Sequence, residues 1–235
     1  MYDGKVVLIT GARRGVGQLL TEHFLQHGAQ VVGFSRHQDT REPHPNYHPR
    51  EVDVGDADSV AQGFAWVRKQ FSKVDIVVNN AAVLTSQYSM IMPAASAKSM
   101  LETNVLGTFL VSREAAKLMR TAKWGRIINI GSMAVSLEPM GDSIYAATKA
   151  AIGTLANVMA KEFASMHVTC NTLGITAIET DMLGQLPRDK VDAVIAALPI
   201  PRYATADDIV NVVDFFASER SSYITAQAVF LGGVH

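Results

Sequence analysis

Tyr145 and Lys149 stand four residues apart in Tyr-Ala-Ala-Thr-Lys, heading a stretch in which Ile152, Leu155, Met159 and Phe163 recur at helical spacing. That spacing puts the two side chains on one helix face. A phenol ordinarily ionises at about pH 10 and is a poor acid–base catalyst at neutrality. An ammonium beside it favours the phenolate and lowers that value. Such a pair can pass a proton to or from a carbonyl or alcohol oxygen. Ser132, just past Gly131 at the end of an apolar run, can hydrogen-bond the same oxygen. No nucleophile–base pair is implied.

A second constellation suits an anion. The chain reads Thr10-Gly11-Ala12-Arg13-Arg14-Gly15-Val16-Gly17 between an N-terminal strand and a helix. Glycines there allow a tight turn, close approach of the backbone to a pyrophosphate and close helix–strand packing. The helix N-terminus adds its free N–H groups. The strand–turn–helix context separates this loop from ordinary glycine-rich turns.

These residues need a scaffold, and the hydrophobic pattern supplies one. Short apolar or β-branched runs at 5–10, 30–34, 51–54, 74–78, 125–130, 167–173 and 227–231 read as strands. Helical stretches lie between them. One carries Val16, Leu19, Leu20, Phe24 and Leu25 and stops at Gly28. Another opens at Asp58 with Val60, Phe64, Val67 and Phe71 on one face. Two longer ones cover 104–119 and 145–164, and Thr205 with Asp208 forms a capping box for a last one. Strands alternating with helices, and apolar on both faces, predict an α/β fold: a doubly wound parallel sheet of about seven strands with helices on both sides. No linker or charge run divides the chain, so 1–235 reads as a single domain.

Two stretches break the rhythm. Pro43, Pro45 and Pro49 in 37–50 predict an irregular crossover instead of a helix, with His44 and His48 as solvated loop side chains and not metal ligands. Pro187, Pro199 and Pro201 bracket a short helical piece within 184–201, a candidate cover for a ligand.

Composition narrows the class of protein. The 235 residues are 48% hydrophobic, with a mean hydropathy of +0.13, which suits a large core and excludes a disordered chain. Lys and Arg total 21 against 22 Asp and Glu, so no basic surface for nucleic acid is expected. The lone Cys170 excludes an intramolecular disulfide and fits a reducing compartment. No apolar run reaches the roughly 18 residues that span a bilayer, and no secretory leader is evident. A cytoplasmic protein without membrane or nucleic-acid partners is expected.

The glycine spacing G-x-x-x-G-x-G is joined by Asp53-Val54 after the third strand and Asn79-Asn80-Ala81-Ala82 after the fourth, then by Asn104, Ser132 and Tyr145-Ala-Ala-Thr-Lys149. In that order, from about Gly4 to the C-terminus, these motifs resemble the short-chain dehydrogenase/reductase family. The resemblance implies a Rossmann fold with Tyr145 as general acid/base. It gives Lys149 a second role on the nicotinamide ribose, has Ser132 orient the substrate oxygen, and has Asn104 hold a water in a proton relay through Lys149. It implies that Asn80 and Ala81 line the cofactor cleft, that Asp53 and Val54 flank the adenine, and that Ile178 and Thr180 lie by the nicotinamide, Thr180 at its carboxamide. Two departures stand out. Ala82 ends a motif that the family closes with glycine, and Ile175-Thr176 replace its Pro-Gly pair after the sixth strand. Gly174 is expected to restore part of the lost flexibility.

Cofactor choice has a physical handle. An acidic residue at the end of the second strand binds the ribose diol of NAD, whereas a basic one suits the 2′-phosphate of NADP. Here that strand ends in Phe34-Ser35-Arg36, and the glycine loop carries Arg13 and Arg14. Guanidinium forks match phosphate, so NADP(H) is expected.

Gly125-Arg126-Ile127, residues 179–182 and Tyr223-Ile-Thr resemble the 3-oxoacyl-carrier-protein reductase-like branch, and the short crossover is similar to dihydrodiol dehydrogenases of that branch. The expected reaction moves a hydride between nicotinamide and a ketone or secondary alcohol, a 3-oxoacyl thioester among the candidates. Residues 90–100, 136–143 and 184–201 would surround that small-molecule substrate. Arg188, Lys190 and Arg202 are scattered and offer no basic cluster to a carrier protein. The contrasting class is a regulatory dinucleotide binder without turnover; Ser132, Tyr145 and Lys149 argue against it, and Ile175-Thr176 for it. A nucleotide-sugar epimerase is disfavoured because the short chain has no separate substrate domain. Ala115, Ala116, Ala147, Ala151 and Ala156 on the two long helices predict close packing across the interface of a homotetramer.

Overall fold

The computed structural model describes residues 1–179, 184 and 188–234. Its strands are β1 (Val6–Thr10), β2 (Gln30–Ser35), β3 (Tyr47–Glu51), β4 (Ile76–Asn79), β5 (Gly125–Ser132), β6 (Val168–Ile175) and β7 (Ala228–Phe230). All pair in parallel, in the order β3-β2-β1-β4-β5-β6-β7. The helices are α1 (Gly15–Gln26), α2 (Ala57–Phe71), α3 (Ala94–Met100), α4 (Gly107–Ala122), the single turn α5 (Ala134–Leu137), α6 (Ser143–Phe163), α7 (Arg188–Ala196) and α8 (Ala206–Ala217).

Period-two alternation along the strands feeds two cores. Val6, Leu8, Val32, Val77, Ile127 and Cys170 pack beneath α2, α4 and α6, against Phe64, Val111, Met119 and Met159. Val7, Ile9, Val31, Val78, Ile128 and Leu173 face the other way, against Leu20 and Phe24 of α1 and Ile209, Val213 and Phe216 of α8. Burial pushes the Cys170 thiol up to about 12, which makes it a packing group. The strand order reverses between β1 and β4, so a crevice opens beyond their C-terminal ends. No described helix is long and apolar enough to cross a membrane.

Three expectations change. The third strand is Tyr47–Glu51, not 51–54, and it takes up the end of the stretch read as loop. As an edge strand it is half to fully exposed and shows no apolar run. Pro49 is tolerated because the flanking ladder bonds, Val31 N–H to Asn46 O at 2.8 Å and Val52 N–H to Ser35 O at 2.9 Å, turn even-numbered residues toward β2. The missing N–H of Pro49 therefore falls on the free edge. His48 lies in this strand, its Nε2 2.8 Å from Gln30 Oε1, so it is not a loop histidine. Second, the helix read from residue 104 begins earlier: α3 runs through a π-helical segment, Leu101–Leu106, into α4. Third, Gly174 supplies room and not flexibility. It pairs within β6, and a Cβ there would stand 2.1 Å from Phe230 Cδ1.

Candidate active site

At the mouth of the crevice, the glycine loop closes on itself. Gly11 has φ +66°, and a Cβ on Gly17 would stand 2.1 Å from the Gly11 carbonyl oxygen, so loop and helix meet at a distance only glycine allows. Thr10 fastens this turn to the end of β4: its Oγ1 accepts from the N–H of Asn80 at 3.0 Å and of Ala81 at 2.9 Å. Asn80 Nδ2 returns a bond to Thr10 O at 2.9 Å. The first turn of α1 has no side-chain cap on its N–H groups. They are thus left for an anion.

A cleft of about 360 Å³ runs from this loop to Tyr145. Gly11, Arg13, Arg14, Gly15, Val16, Ser35, Arg36, Val54, Asn80, Ala81, Tyr145, Lys149 and Ile178 all line it. Ser35 Oγ is buried there without a hydrogen-bond partner, an acceptor and donor unspent by the fold. Thr10, Gly17, Asn104 and Ser132, also expected at the site, are not among the lining residues, although the Ser132 hydroxyl reaches the Tyr145 phenol. Asp53 instead folds onto its own turn, its Oδ1 accepting from Gly55 N–H at 2.9 Å, while Val52 and Val54 flank the cleft. Thr180 lies outside the described residues. The uncapped helix start, the glycine cradle and the orphan Ser35 hydroxyl fit a dinucleotide.

The reaction end is set by α6. Tyr145 is buried, and burial pushes its phenol up; the Ser132 hydroxyl draws it partway back, and the Asp142 carboxylate adds to the rise. Lys149 is also buried, and desolvation brings its ammonium down to about 8. Its Nζ donates to Ile130 O at 2.8 Å and lies 5.8 Å from the centroid of the Tyr145 ring. The sequence-based expectation of a phenol lowered by its lysine is therefore corrected. The ammonium is turned to a backbone carbonyl, and dehydration dominates both groups.

Asn104 is fully buried in the π-helical segment, both amide protons committed: Nδ2 donates to Val83 O and to Thr148 Oγ1, each at 3.0 Å. Thr148 Oγ1 in turn donates to Tyr145 O at 2.7 Å. Asn104 thereby braces the helix turn that carries Tyr145.

Sequence reasoning missed several wall residues. His37, Val52, Val83, Thr103 and Ile130 line the cleft, and the rule that ligands gather at parallel strand ends would have found Val52 and Ile130. It also missed a clamp in the crossover. Arg41 Nη2 donates to Asp39 Oδ2 at 2.6 Å, to the Tyr47 hydroxyl and to Ala12 O at 3.1 Å. The Tyr47 hydroxyl donates to Asp39 Oδ2 at 2.7 Å. Burial raises the Asp39 carboxyl, but the bonds from Arg41 and Tyr47 more than reverse this and hold it at about 2.

Beyond β6, Val191 and Ile195 of α7 pack on Ala177 beside Met133 and Tyr203. Arg202 is engaged with Asp208 at 2.6 and 2.8 Å. The alanines read as an interface stripe are mostly internal: Ala115, Ala116 and Ala156 are buried within the protomer, Ala147 is exposed and Ala151 is half-buried.

Comparison with known proteins agrees with this geometry. A family model described as short chain dehydrogenase matches residues 5–191. The chain is 32% identical to the 3-oxoacyl-[acyl-carrier-protein] reductase FabG of Escherichia coli K12 over 237 residues, covering 99% of this chain and 97% of the relative. Among solved structures it is similar to ElxO with NADP bound, at TM-score 0.89 and 27% identity over 97% of this chain and 96% of that one. A levodione reductase at 24% identity, TM-score 0.91 and coverage of 99% and 98% shares the fold.

Proposed function

The chain belongs to the short-chain dehydrogenase family, oxidoreductases of CH–OH groups that use a nicotinamide dinucleotide, and from that premise we propose an NADP(H)-dependent enzyme that interconverts a ketone and a secondary alcohol. The observation that carries the reading is one cleft lined at one end by the glycine loop and arginines and at the other by Tyr145 and Lys149. When bound, the nicotinamide supplies or accepts the hydride. On reduction, the Tyr145 hydroxyl gives its proton to the carbonyl oxygen; on oxidation, the phenolate takes the proton of the alcohol. Ser132 orients that oxygen by a hydrogen bond. Lys149, charged below about 8, steadies the ribose and the phenolate.

Preference for NADP(H) is supported by Arg13, Arg36 and the unpartnered Ser35 hydroxyl in the cleft wall, where no carboxylate ends β2. An NADP-bound relative is consistent with it. Arg36→Ala is expected to raise the KM for NADPH roughly ten- to hundredfold while NADH is little affected. Equal changes for both cofactors, or none for either, would overturn the preference.

The 3-oxoacyl thioester class is supported by the names of relatives such as the Escherichia coli reductase. Docking of a carrier protein has less support, since Arg202 is already paired with Asp208. A freely diffusing ketone is the better first substrate. NADPH oxidation against a panel of ketones tests the reading, and tight NADPH binding without turnover on any of them would favour the non-catalytic binder. We further infer a homotetramer formed through the α4 and α6 faces. Leu106, Phe109 and Val158 support it, at 41%, 38% and 48% exposure. Light scattering at micromolar concentration should give four times the 25.4 kDa protomer mass; a monomer would refute it.

A further inference from the structure

One turn beyond Tyr145, α6 is fastened on two sides. Lys149, four residues on, reaches β5 through its bond to Ile130 O at 2.8 Å. Thr148, three residues on, reaches instead into the π-helical segment. It is fully buried, and its hydroxyl is spent in both directions. Oγ1 donates to Tyr145 O at 2.7 Å and accepts from Asn104 Nδ2 at 3.0 Å. A helical threonine commonly returns its hydroxyl to a carbonyl of the preceding turn. The same chain does so at Thr21, which donates to Gly17 O, and at Thr108, which donates to Asn104 O, each at 2.8 Å. Of these three, only Thr148 also accepts a bond from another element among the described residues.

That other element is tied to the cofactor cleft. Asn104 grips Val83 as a strand partner would: its Oδ1 accepts from Val83 N–H at 2.9 Å, and its Nδ2 donates to Val83 O at 3.0 Å. Val83 lines the dinucleotide cleft, and its side chain packs against the cluster of Tyr145, Met100 and Ala134. An unbroken run of bonds therefore joins the wall of the cleft to the backbone of Tyr145, through Asn104 and then Thr148. Both amide protons of Asn104 are committed to this run. Asn104 has no third proton with which to replace the link if the Thr148 hydroxyl is lost. Thr148 is not among the residues that line the cleft, so it acts through Tyr145 and not on a substrate.

We propose that Thr148 is a positioning residue: its hydroxyl is the joint through which the cofactor wall at Val83 fixes the turn of α6 that carries Tyr145. Proton transfer between the phenol and a substrate oxygen is sensitive to placement, and a shift of about 1 Å in a reacting group can cost on the order of a hundredfold in rate. Thr148→Val keeps the shape of the side chain and removes both bonds, which leaves the turn fastened by Lys149 on one side. Val83 retains its two bonds to Asn104, so the cofactor wall stays in place. The loss therefore falls on kcat and spares the KM for NADPH.

The inference rests on the oxidoreductase reading above, and one experiment separates their failures. Full-length wild type, Thr148→Val and Thr148→Ser are assayed with NADPH and the ketone that wild type reduces fastest, and the NADPH sites in each preparation are counted by fluorescence titration. Per NADPH site, Thr148→Val should lose roughly ten- to hundredfold in kcat, with its KM for NADPH within about twofold of wild type. Thr148→Ser keeps the hydroxyl and should return kcat to within about threefold of wild type. A purely structural role would lower the number of NADPH sites and leave kcat per site unchanged, which overturns the proposal. A serine variant as slow as the valine one overturns it too, as does a fall in kcat matched by an equal rise in the KM for NADPH. Each of these leaves the oxidoreductase reading standing. If Thr148→Val does not fold, Thr148→Ala carries the same expectation; if neither folds, the hydroxyl serves the fold and the proposal is overturned. No turnover of any ketone by wild type would overturn both readings.

Discussion

At the crossover end of the cleft, Asp39, Arg41 and Tyr47 satisfy one another and reach back to the Ala12 carbonyl. At the reaction end, Tyr145 and Lys149 are buried on one stripe of α6, where dehydration outweighs the help of the Ser132 hydroxyl and the Ile130 carbonyl. The first region spends its polar groups on holding a loop in shape. The second holds them dehydrated beside the cleft, in the less favourable state for a charge. The same element types, a strand end followed by a helix or loop, thus serve precision in one place and reactivity in the other. The two regions should respond to substitution in opposite directions: loss of stability with binding at the clamp, gain of stability with loss of chemistry on α6.

Lys149→Met puts the largest strain on that contrast. The side chain keeps its length and loses its charge, and kcat should fall about 10²–10⁴-fold. Stability should move the other way. The ammonium sits at about 8 in the fold against 10.5 when exposed. Between those values the lysine binds more protons in the unfolded chain, so its contribution to wild-type stability rises with pH across 8 to 10.5. The penalty below about 8 amounts to about 3 kcal/mol. Part of it is offset by the bond to Ile130 O, which methionine cannot make. The variant should melt roughly 3–6 °C higher at pH 7, and the lysine's rise between pH 8 and 10.5 should be missing from its profile. A variant that melts lower at pH 7 would show that α6 is held by its lysine, and the comparison would break.

What was legible in the sequence follows the same division. The glycine loop, the Tyr145–Lys149 spacing and the Thr205–Asp208 box are local patterns, and each took the expected form because spacing alone decides which groups meet. The parallel sheet was legible for central strands buried on both faces, and β3 escaped because an edge strand carrying Pro49 has no apolar signature. Periodicity could not say whether Ala115 and Ala156 face a partner or the protomer's own core, since both want small residues. At Asp142 the sequence offers a helix cap that the backbone, at φ −106° and ψ 22°, does not let the side chain make. The pKa of Tyr145 was misjudged because spacing reports who is near, whereas burial reports what the neighbours cost.

Arg41→Gln tests the other side of the comparison, with a smaller effect. The amide cannot pair with Asp39, whose side chain is 4% exposed, and it cannot reach Asp39, Tyr47 and Ala12 together. Breaking a largely buried pair from one side leaves a carboxylate dehydrated and uncompensated. Because the pair is partly open to water at Arg41, a loss of about 2 kcal/mol and a melting point lower by roughly 4–8 °C are expected. The functional cost should fall on the KM for NADPH, rising severalfold, because the clamp fixes the crossover that carries Arg36 and His37 to the cleft. The pH response then separates the two regions. Asp39 is held at about 2, against 3.8 when exposed, so the clamp's contribution is complete above 3.8 and is lost only as pH falls through 2. Wild type and Arg41→Gln should therefore differ by a constant amount from pH 5 to 10, whereas the gap between wild type and Lys149→Met closes above pH 8. If instead the Arg41 gap also varied across neutral pH, the clamp would be coupled to the titrating groups on α6, and the two ends of the cleft would be one network.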